Sequence, residues 1–479
     1  MREDELIEAE VVERLFGTKM SRRRVLEAGA GLLGGALAGP LIFTTPDSYA
    51  DTDQLKGSLP YNAHTSVKGH ITFWHHYQAG VPRNTLRNLI RQFNTHYPHV
   101  SVNEVAFAFG DVWTKNTAAV AAGTGMPDVL VSDRPHLWNE GAIHHVYEPV
   151  TAFAKRDHIV SKPFWPFTWY ESVAKKQLWG IPWETDCRVL YYNRAMFLDH
   201  GFNPNKPPTT WPEMAQFADK LDKKGSGPGG WEVIGFNPLW YYGLDTWVWD
   251  NSGDWLNKKQ QPTLDSARNI QTAEWLKSWV DRYGGLSTLN AISSLSTPTK
   301  DEFTGGRTPF RITGPGKQAS YLAFNATFAR ANKQVPFPAW GIGLIPHNTG
   351  GKPYSFTGGF ALSMPTNHHR SSGTTAAVWE FIKYMTLVAQ RDWARYTLAI
   401  PTVEAMAKND KVLNSLLHWK DFVRAVEYGH PSTRNFHDAL FPGDVVGHAS
   451  DQIMGGNQSA KTALAAAQQQ ALHNMSLNP

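Results

Sequence analysis

The sequence is nearly devoid of cysteine, since Cys187 is the only one among 479 residues. A disulfide within the chain is therefore excluded, and so is a zinc or iron–sulfur site built from several thiolates. No activating partner for a thiolate can be identified in the sequence, so we interpret Cys187 as a buried residue without a catalytic role. We expect no cofactor and no bound metal.

Concentrated charge is also missing. The 46 Lys and Arg residues and 42 Asp and Glu residues are dispersed and leave a net charge of only +4. Nucleic-acid-binding proteins usually present a concentrated basic face, so we expect no nucleic-acid partner. The chain likewise has no nucleophile elbow, metal-binding motif or phosphate loop, which argues against an enzyme.

Long hydrophobic runs are absent beyond the N-terminus, where the pattern is that of an export signal. Arg22, Arg23 and Arg24 precede an apolar stretch over 29–43, and Ser48 and Ala50 fit a cleavage site after residue 50. This order predicts a secretory signal of the twin-arginine type over 1–50, and hence a periplasmic or extracytoplasmic protein. An uncleaved membrane anchor is the alternative, although Pro40 interrupts the stretch. No cysteine lies near the cleavage site, so we expect no lipid anchor.

Aromatic residues, by contrast, are plentiful: 19 are Trp, and Phe, Trp and Tyr together make up 12% of the chain. Such rings pack in cores and also stack on the apolar faces of sugars. After a polar segment over 51–68, interpreted as a flexible leader, strand patterns near 70–74, 100–105 and 127–131 alternate with helical patterns. This alternation predicts a parallel, doubly wound α/β sheet, in which ligands lie beyond the carboxyl ends of the strands.

Later segments continue the mixture of helices and strands. Val189–Tyr192 reads as a buried strand, with Asn193 as the N-cap of the helix that follows. Thr210 is predicted to cap another helix, because Pro212 and Glu213 suit its first turn. The pattern over 264–284 and the Ala- and Gln-rich stretch over 459–475 also predict helices.

The ordered segments resemble the extracellular solute-binding proteins of carbohydrate ABC importers, the group that contains maltose-binding and glycerol-3-phosphate-binding proteins. The resemblance covers roughly residues 70–475. The segments that carry it are ITFWHHY, LIRQFNTHYPHVSVNEV, AAVAAGTGMPDVLVSD, QLWGIPWETDCRVLYYNRAMF, PPTTWPEMAQFADKL, FRITGPG, WGIGLIP, GGFALSMP, AAVWEFIKYM and AIPT.

This resemblance implies a periplasmic-binding-protein-like fold of type II, with two α/β lobes joined by a hinge that the chain crosses several times. By the family pattern, lobe I comprises 69–148 and 306–364, and lobe II comprises 149–305 and 365–479. The implied function is capture of a sugar or sugar-like solute (an oligosaccharide, a polyol or a glycerophospho compound) in the cleft between the lobes. Delivery to the transmembrane subunits of an ABC permease would follow, and we expect the protein to be a monomer.

The segments that resemble the family's ligand loops supply both rings for sugar faces and polar groups for hydroxyls. The candidate ligand-binding residues are Trp74, His75, Tyr77, Ser132, Asp133, Trp183, Glu184, Asp186, Trp240, Tyr241, Arg311, Gly314, Gly358, Gly359 and Phe360. Each has a structural alternative: Asp133 as a helix cap, Trp240 as a core residue, and Gly358 with Gly359 as a turn. His75 and His76 are adjacent on a strand and point in opposite directions, so they should not share a metal.

Arg134 and Arg311 leave an anionic ligand open, because a phosphate would favour arginine. Two other readings also remain. One is a binding protein for a polyamine, ferric ion or peptide. The other is a carbohydrate-active enzyme that uses Asp133 and Glu184 as paired carboxylates.

Overall fold

The structure is a computed structural model, which describes residues 61, 63–241, 243–296, 301–323, 325, 335–434 and 443–477. The predicted signal over 1–50 and most of the predicted leader lie outside the described residues. Within the described ranges, none of the helices combines the length and the apolar character that crossing a bilayer requires.

Sixteen strands are described. They are β1 Gly69–His75, β2 Val100–Ala106, β3 Val129–Asp133, β4 Tyr147–Glu148, β5 Val173–Ala174, β6 Gln177–Leu178, β7 Ile181–Thr185, β8 Val189–Asn193, β9 Lys223–Lys224, β10 Trp231–Val233, β11 Phe310–Thr313, β12 Trp340–Gly343, β13 Ser355–Phe356, β14 Gly359–Pro365, β15 Ile400–Pro401 and β16 Gly429–His430.

The α-helices of the described residues are α1 Gly80–His96, α2 Asp111–Ala122, α3 Leu137–Ala142, α4 Thr151–Arg156, α5 Pro166–Ser172, α6 Arg194–Asp199, α7 Trp211–Leu221, α8 Leu244–Asp250, α9 Ala267–Arg282, α10 Leu286–Ser293, α11 Gln318–Ala323, α12 Ser372–Lys383, α13 Gln390–Thr397, α14 Glu404–Asn409, α15 Lys411–Asn414, α16 Trp419–Val426, α17 Gly443–Met454 and α18 Ala460–Leu477.

The chain forms two compact units. Unit 1 comprises Met1–Asp186 and Gly358–Val423, and unit 2 comprises Cys187–Thr357 and Arg424–Pro479.

Unit 1 is built on one mixed sheet with the strand order β15-β7-β14-β3-β1-β2, and β4 pairs with β14. Strands β1, β2 and β3 are parallel, as predicted from the βαβ alternation. Strand β14 returns from more than 200 residues further along the chain and lies antiparallel between β3 and β7. The carboxyl ends of β1 and β3 and the beginning of β14 therefore meet at one edge of the sheet.

Unit 2 contains a three-stranded antiparallel sheet, β11-β8-β12, packed with helices around an aromatic core. Trp211, Trp247 and Trp279 are buried in this core, and Trp211 stacks on the ring of Trp275 at 3.9 Å between centroids. Most tryptophans of this unit thus serve packing. Helices α9, α17 and α18 close the core on one side through Leu276, Val446 and Leu464.

The unit boundaries differ from the predicted lobe boundaries. Residues 149–186 and 365–423 were predicted for lobe II but belong to unit 1, because β7 and β15 hydrogen-bond into its sheet. Residues 306–357 were predicted for lobe I but belong to unit 2, because β11 and β12 pair with β8. Strand pairing between distant segments decides membership, and the sequence carries no local sign of it.

The predicted helix starts follow from capping. The Asn193 side chain accepts a hydrogen bond from the Met196 amide at the start of α6. Thr210 and Glu213 form a reciprocal capping box at the start of α7, which satisfies two otherwise unpaired amides. The end of the predicted leader contacts unit 1: the Tyr61 and Tyr97 hydroxyls are 2.7 Å apart, and the His64 amide donates to Glu380.

Candidate functional site

A cluster of aromatic rings lies at the edge of unit 1 where β1 and β3 end and β14 begins. The His76 ring has its centroid 4.4 Å from that of Phe360 and 4.2 Å from that of Tyr77. Phe109, just before α2, and Trp113, in the first turn of α2, extend this surface. Phe109 is 69% exposed, so the cluster presents an open aromatic face.

The predicted residues Tyr77, Trp183 and Glu184 lie together beside this face. The Tyr77 hydroxyl donates to Glu184 Oε1 at 2.9 Å, and the Trp393 indole N–H donates to Glu184 Oε2. The Trp183 ring is fully buried between Tyr77 and Trp393, with centroids 6.0 and 4.7 Å away. The Trp183 ring therefore supports the cluster by packing and is not part of its exposed face.

Two acids at this edge are held in a partly desolvated state. Burial raises the pKa of Glu184 to about 7, although the hydrogen bonds from Trp393 and Tyr77 oppose the shift. Burial also raises the pKa of Asp133, which is opposed by His136 and Arg134. The Asp133 side chain stays 28% exposed, so its oxygens can still accept from a solute.

Two polar atoms in the cluster lack a hydrogen-bond partner among the described residues: His76 Nδ1 and Trp183 Nε1. Burial lowers the pKa of His76 to about 4, so its ring is neutral at ordinary pH. A buried polar atom without a partner is costly to the folded state. From the sequence, His76 was considered only in connection with a metal; its position at the end of the β1 strand pattern, next to Tyr77, is the signal that could have placed it in this cluster.

Three other predicted residues at this edge are Asp186, Gly358 and Gly359. The first two are hydrogen-bonded to each other, and the third has a backbone role. The Gly358 amide donates to Asp186 Oδ1 at 2.6 Å, so it is not available to a ligand. Gly359 has φ +117°, and a Cβ there would lie 2.3 Å from the Glu184 carbonyl oxygen. Gly359 is thus required for the close approach of β14 to β7.

Trp74, His75 and Ser132 lie apart from the open face. Trp74 is half-buried and packs on Phe107, with centroids 4.6 Å apart. His75 is fully buried, and its Nε2 lies 2.7 Å from Glu104 Oε2, whereas the His76 ring packs against Trp113 and Phe360. Ser132 is buried inside β3. His75 and Ser132 are placed as structural residues.

The remaining candidates belong to unit 2. Tyr241 is fully buried, and its hydroxyl donates to the Tyr354 carbonyl and accepts from the Phe356 amide. Arg311 donates to Glu302 at 3.1 Å, and the Gly314 carbonyl accepts from the Tyr191 hydroxyl. Trp240 ends a short 3-10 turn that begins at Pro238. Tyr241 thus has a packing role, and Arg311 is paired with an acid.

A metal-type grouping of His64, Asp157 and Glu380 lies elsewhere in unit 1. The buried Lys383 ammonium lies 2.9 Å from Asp157 and 2.8 Å from Glu380. Lys383 therefore supplies the positive charge that these carboxylates require, and the grouping reads as a buried ion network.

A cavity of about 550 Å³ lies at the opposite end of β14. Its lining includes Tyr147, Trp179 and the exposed His368. None of the candidate residues lines it, so this cavity provides control positions for tests of the aromatic face.

Comparison with known proteins gives one family and a consistent fold. The family described as bacterial extracellular solute-binding protein matches residues 88–416. A binding protein of Brucella abortus (strain 2308) is 21% identical over 68% of this chain and 74% of its own length.

Solved structures share the fold. The structure of CpMnBP1 with mannotriose bound aligns with a TM-score of 0.68 at 22% identity, over 84% of this chain and all of that one. The UgpB protein of Mycobacterium tuberculosis in complex with glycerophosphocholine aligns with a TM-score of 0.65 at 16% identity, over 86% of this chain and 99% of that one. At these identities the likeness establishes the α/β architecture.

Proposed function

Because the chain belongs to the bacterial extracellular solute-binding protein family, we propose that it captures a neutral sugar and delivers it to the membrane subunits of an ABC importer. Its place of action is outside the cytoplasm, as in the family. In this proposal the protein binds the sugar without changing it chemically and acts as a monomer. The predicted cleft between the two lobes stays a prediction.

The observation that carries this proposal is the open aromatic face beside two desolvated acids. Rings such as Phe109, Trp113 and Phe360 suit the apolar C–H faces of pyranoses. Asp133 is an acceptor for hydroxyl donors, and such hydrogen bonds strengthen where water is excluded. A sugar needs both kinds of contact at once.

The charge at this edge favours a neutral solute over a phosphodiester. The exposed part of this edge offers a phosphate the carboxyl group of Asp133, which is a poor partner for an anion. Arg134, considered from the sequence as a phosphate ligand, is fully buried and has its guanidinium bonded to protein acceptors. Arg311 in unit 2 was also considered as a partner for an anionic ligand, so a glycerophospho compound belongs in the test.

A thermal-shift panel tests the proposal. The panel holds mannotriose, maltotriose, free monosaccharides, polyols and glycerophosphocholine. At a concentration 100-fold above the dissociation constant, a ligand of the native state should add about 2.7 kcal/mol to the free energy of unfolding. A shift with a neutral sugar supports the proposal, a shift with glycerophosphocholine alone replaces the substrate class, and no shift across the panel contradicts it. Incubation of the protein with the sugars should yield no new reducing ends.

Export by the predicted twin-arginine signal is part of the proposal. Replacing Arg22 and Arg23 by lysine should retain the chain in the cytoplasm, because that export route depends on the arginine pair. Cell fractionation measures the effect, and N-terminal sequencing of the wild-type protein should begin at Asp51. An unchanged distribution of the lysine variant would contradict this route.

A further inference from the structure

Arg134 is a fully buried arginine directly after β3, at the start of a 3-10 turn over Arg134–His136. Arginine is almost never fully buried unless its guanidinium is paired. Its Nε donates to Glu171 Oε2 in α5 at 2.7 Å, and the guanidinium carbon lies 5.7 Å from the centre of the Phe167 ring. The charge is therefore balanced on the side that faces α5.

The other side of the guanidinium binds two segments that are distant in sequence. Nη1 donates to the Glu184 carbonyl at 2.8 Å, and Nη2 donates to the Gly358 carbonyl at 2.6 Å and to Thr185 Oγ1 at 3.2 Å. Glu184 lies near the end of β7, and Gly358 immediately precedes β14. One side chain thus joins segments that are more than 170 residues apart.

These two segments are also the places where the chain leaves unit 1 and returns to it. Asp186 is the last residue of unit 1 before the chain passes to unit 2, and Gly358 is the first after it returns. Thr185 Oγ1 donates to the Gly358 carbonyl at 3.0 Å, and the Gly358 amide donates to Asp186 Oδ1. Arg134 lies at the centre of this set of bonds.

We propose that Arg134 is a positioning residue for the solute site. It holds the end of β7 and the start of β14 in the geometry that presents Phe360 to the solute and keeps Glu184 hydrogen-bonded to Tyr77, and it does not contact the solute itself. This inference rests on the proposed function for its consequence in binding, although its structural part can be measured without a ligand.

Lysine cannot replace arginine in this role. The planar guanidinium directs donors from three nitrogens towards α5, β7 and β14 at fixed angles, whereas an ammonium is a single point from which three donors diverge. Arg134→Lys keeps the positive charge available to Glu171 but loses the fork that reaches both carbonyls. Glu171→Gln is the matched control, because it weakens the same buried pair without touching either segment.

Hydrogen–deuterium exchange of the ligand-free protein tests the structural part. We expect Arg134→Lys to raise the exchange rate about tenfold or more in peptides covering 183–187 and 357–361. Peptides covering β1 should exchange at the wild-type rate, and Glu171→Gln should leave both segments at the wild-type rate. Unchanged exchange at the two segments, or an equal increase throughout unit 1, would overturn the proposal.

Titration with mannotriose and maltotriose tests the consequence for binding. Whichever sugar binds the wild type should bind Arg134→Lys about tenfold or more weakly, while Glu171→Gln lowers the melting temperature and keeps the affinity. Equal affinity of Arg134→Lys and wild type would overturn the positioning role. If neither sugar binds the wild type, mannotriose and maltotriose are excluded as the solute. The exchange experiment alone then decides whether Arg134 holds the segments.

Discussion

Among single residues, burial distinguishes the aromatic side chains that support unit 1 from those available to a solute. Trp183 is fully buried, whereas Phe109 is largely exposed. The sequence placed Trp183 among the ligand residues and did not single out Phe109. Both residue types are compatible with stacking, and only the packing around each ring separates them.

Alanine substitution should mainly lower stability at Trp183 and mainly weaken sugar binding at Phe109. Trp183→Ala leaves a large void between Tyr77 and Trp393 and should lower the free energy of unfolding by about 3–5 kcal/mol. Phe109→Ala should change stability by less than about 0.5 kcal/mol and weaken sugar binding, since an exposed ring contributes little to folding.

Chemical denaturation and titration with the sugar found in the panel measure both effects. His368→Ala, in the separate cavity, is the control and should keep both values. Wild-type affinity of Phe109→Ala would contradict the placement of the sugar on the aromatic face.

The protonation of Glu184 should make stability depend on pH. Its pKa is raised from 4.5 in the reference state to about 7, so the folded state retains a proton that the unfolded chain releases. This stabilising contribution is complete below pH 4.5 and is lost as the pH rises through about 7, a change of roughly 3 kcal/mol at most. Glu184→Gln, which resembles the protonated form, should remove this dependence of stability on pH.

Urea denaturation at pH 5 and pH 8 checks this prediction. The wild type should lose more stability than Glu184→Gln on going from pH 5 to pH 8. Because Asp245 also has a pKa raised to about 7 by burial, the difference between the two proteins is the informative quantity. An identical pH dependence of both would show that Glu184 is ionised in the folded state.

At the scale of elements, local rules determined where helices begin. Thr210 caps α7 with the reciprocal bond to Glu213 that the sequence indicates. Thr210→Ala should lower the free energy of unfolding by about 1 kcal/mol because the Glu213 amide loses its acceptor. Thr210→Ser keeps the hydroxyl and should retain most of the stability in the same denaturation experiment; equal losses in both variants would exclude the cap as the cause.

For the whole molecule, each unit draws on distant parts of the chain. Helix α18 packs on α17 and α9 in unit 2, and Leu464 is fully buried there. Deletion of residues 460–479 should therefore expose the core of unit 2 and leave the sheet of unit 1 intact. Limited proteolysis with mass spectrometry should then detect cuts within 187–357 before cuts within 69–186, and simultaneous cleavage of both ranges would contradict this division.

The sequence by itself determined the family and many of the elements, and it supplied a set of candidate site residues. Helical periodicity, strand alternation and caps such as Asn193 are local, so they can be read from neighbouring residues. The β-α-β run at the start of unit 1 and the carboxyl-end position of Tyr77 and Asp133 follow from the same local signals.

Only the tertiary structure decided the sheet order, the unit boundaries and the roles of particular side chains. Strand β14 lies between β3 and β7, and this pairing of distant segments buries Arg134, requires Gly359 and encloses Trp183. Hydrogen bonds between residues far apart in the chain leave no periodic trace in the sequence. For that reason the sequence pattern pointed to this edge of the sheet, and the fold selected which residues at that edge are exposed.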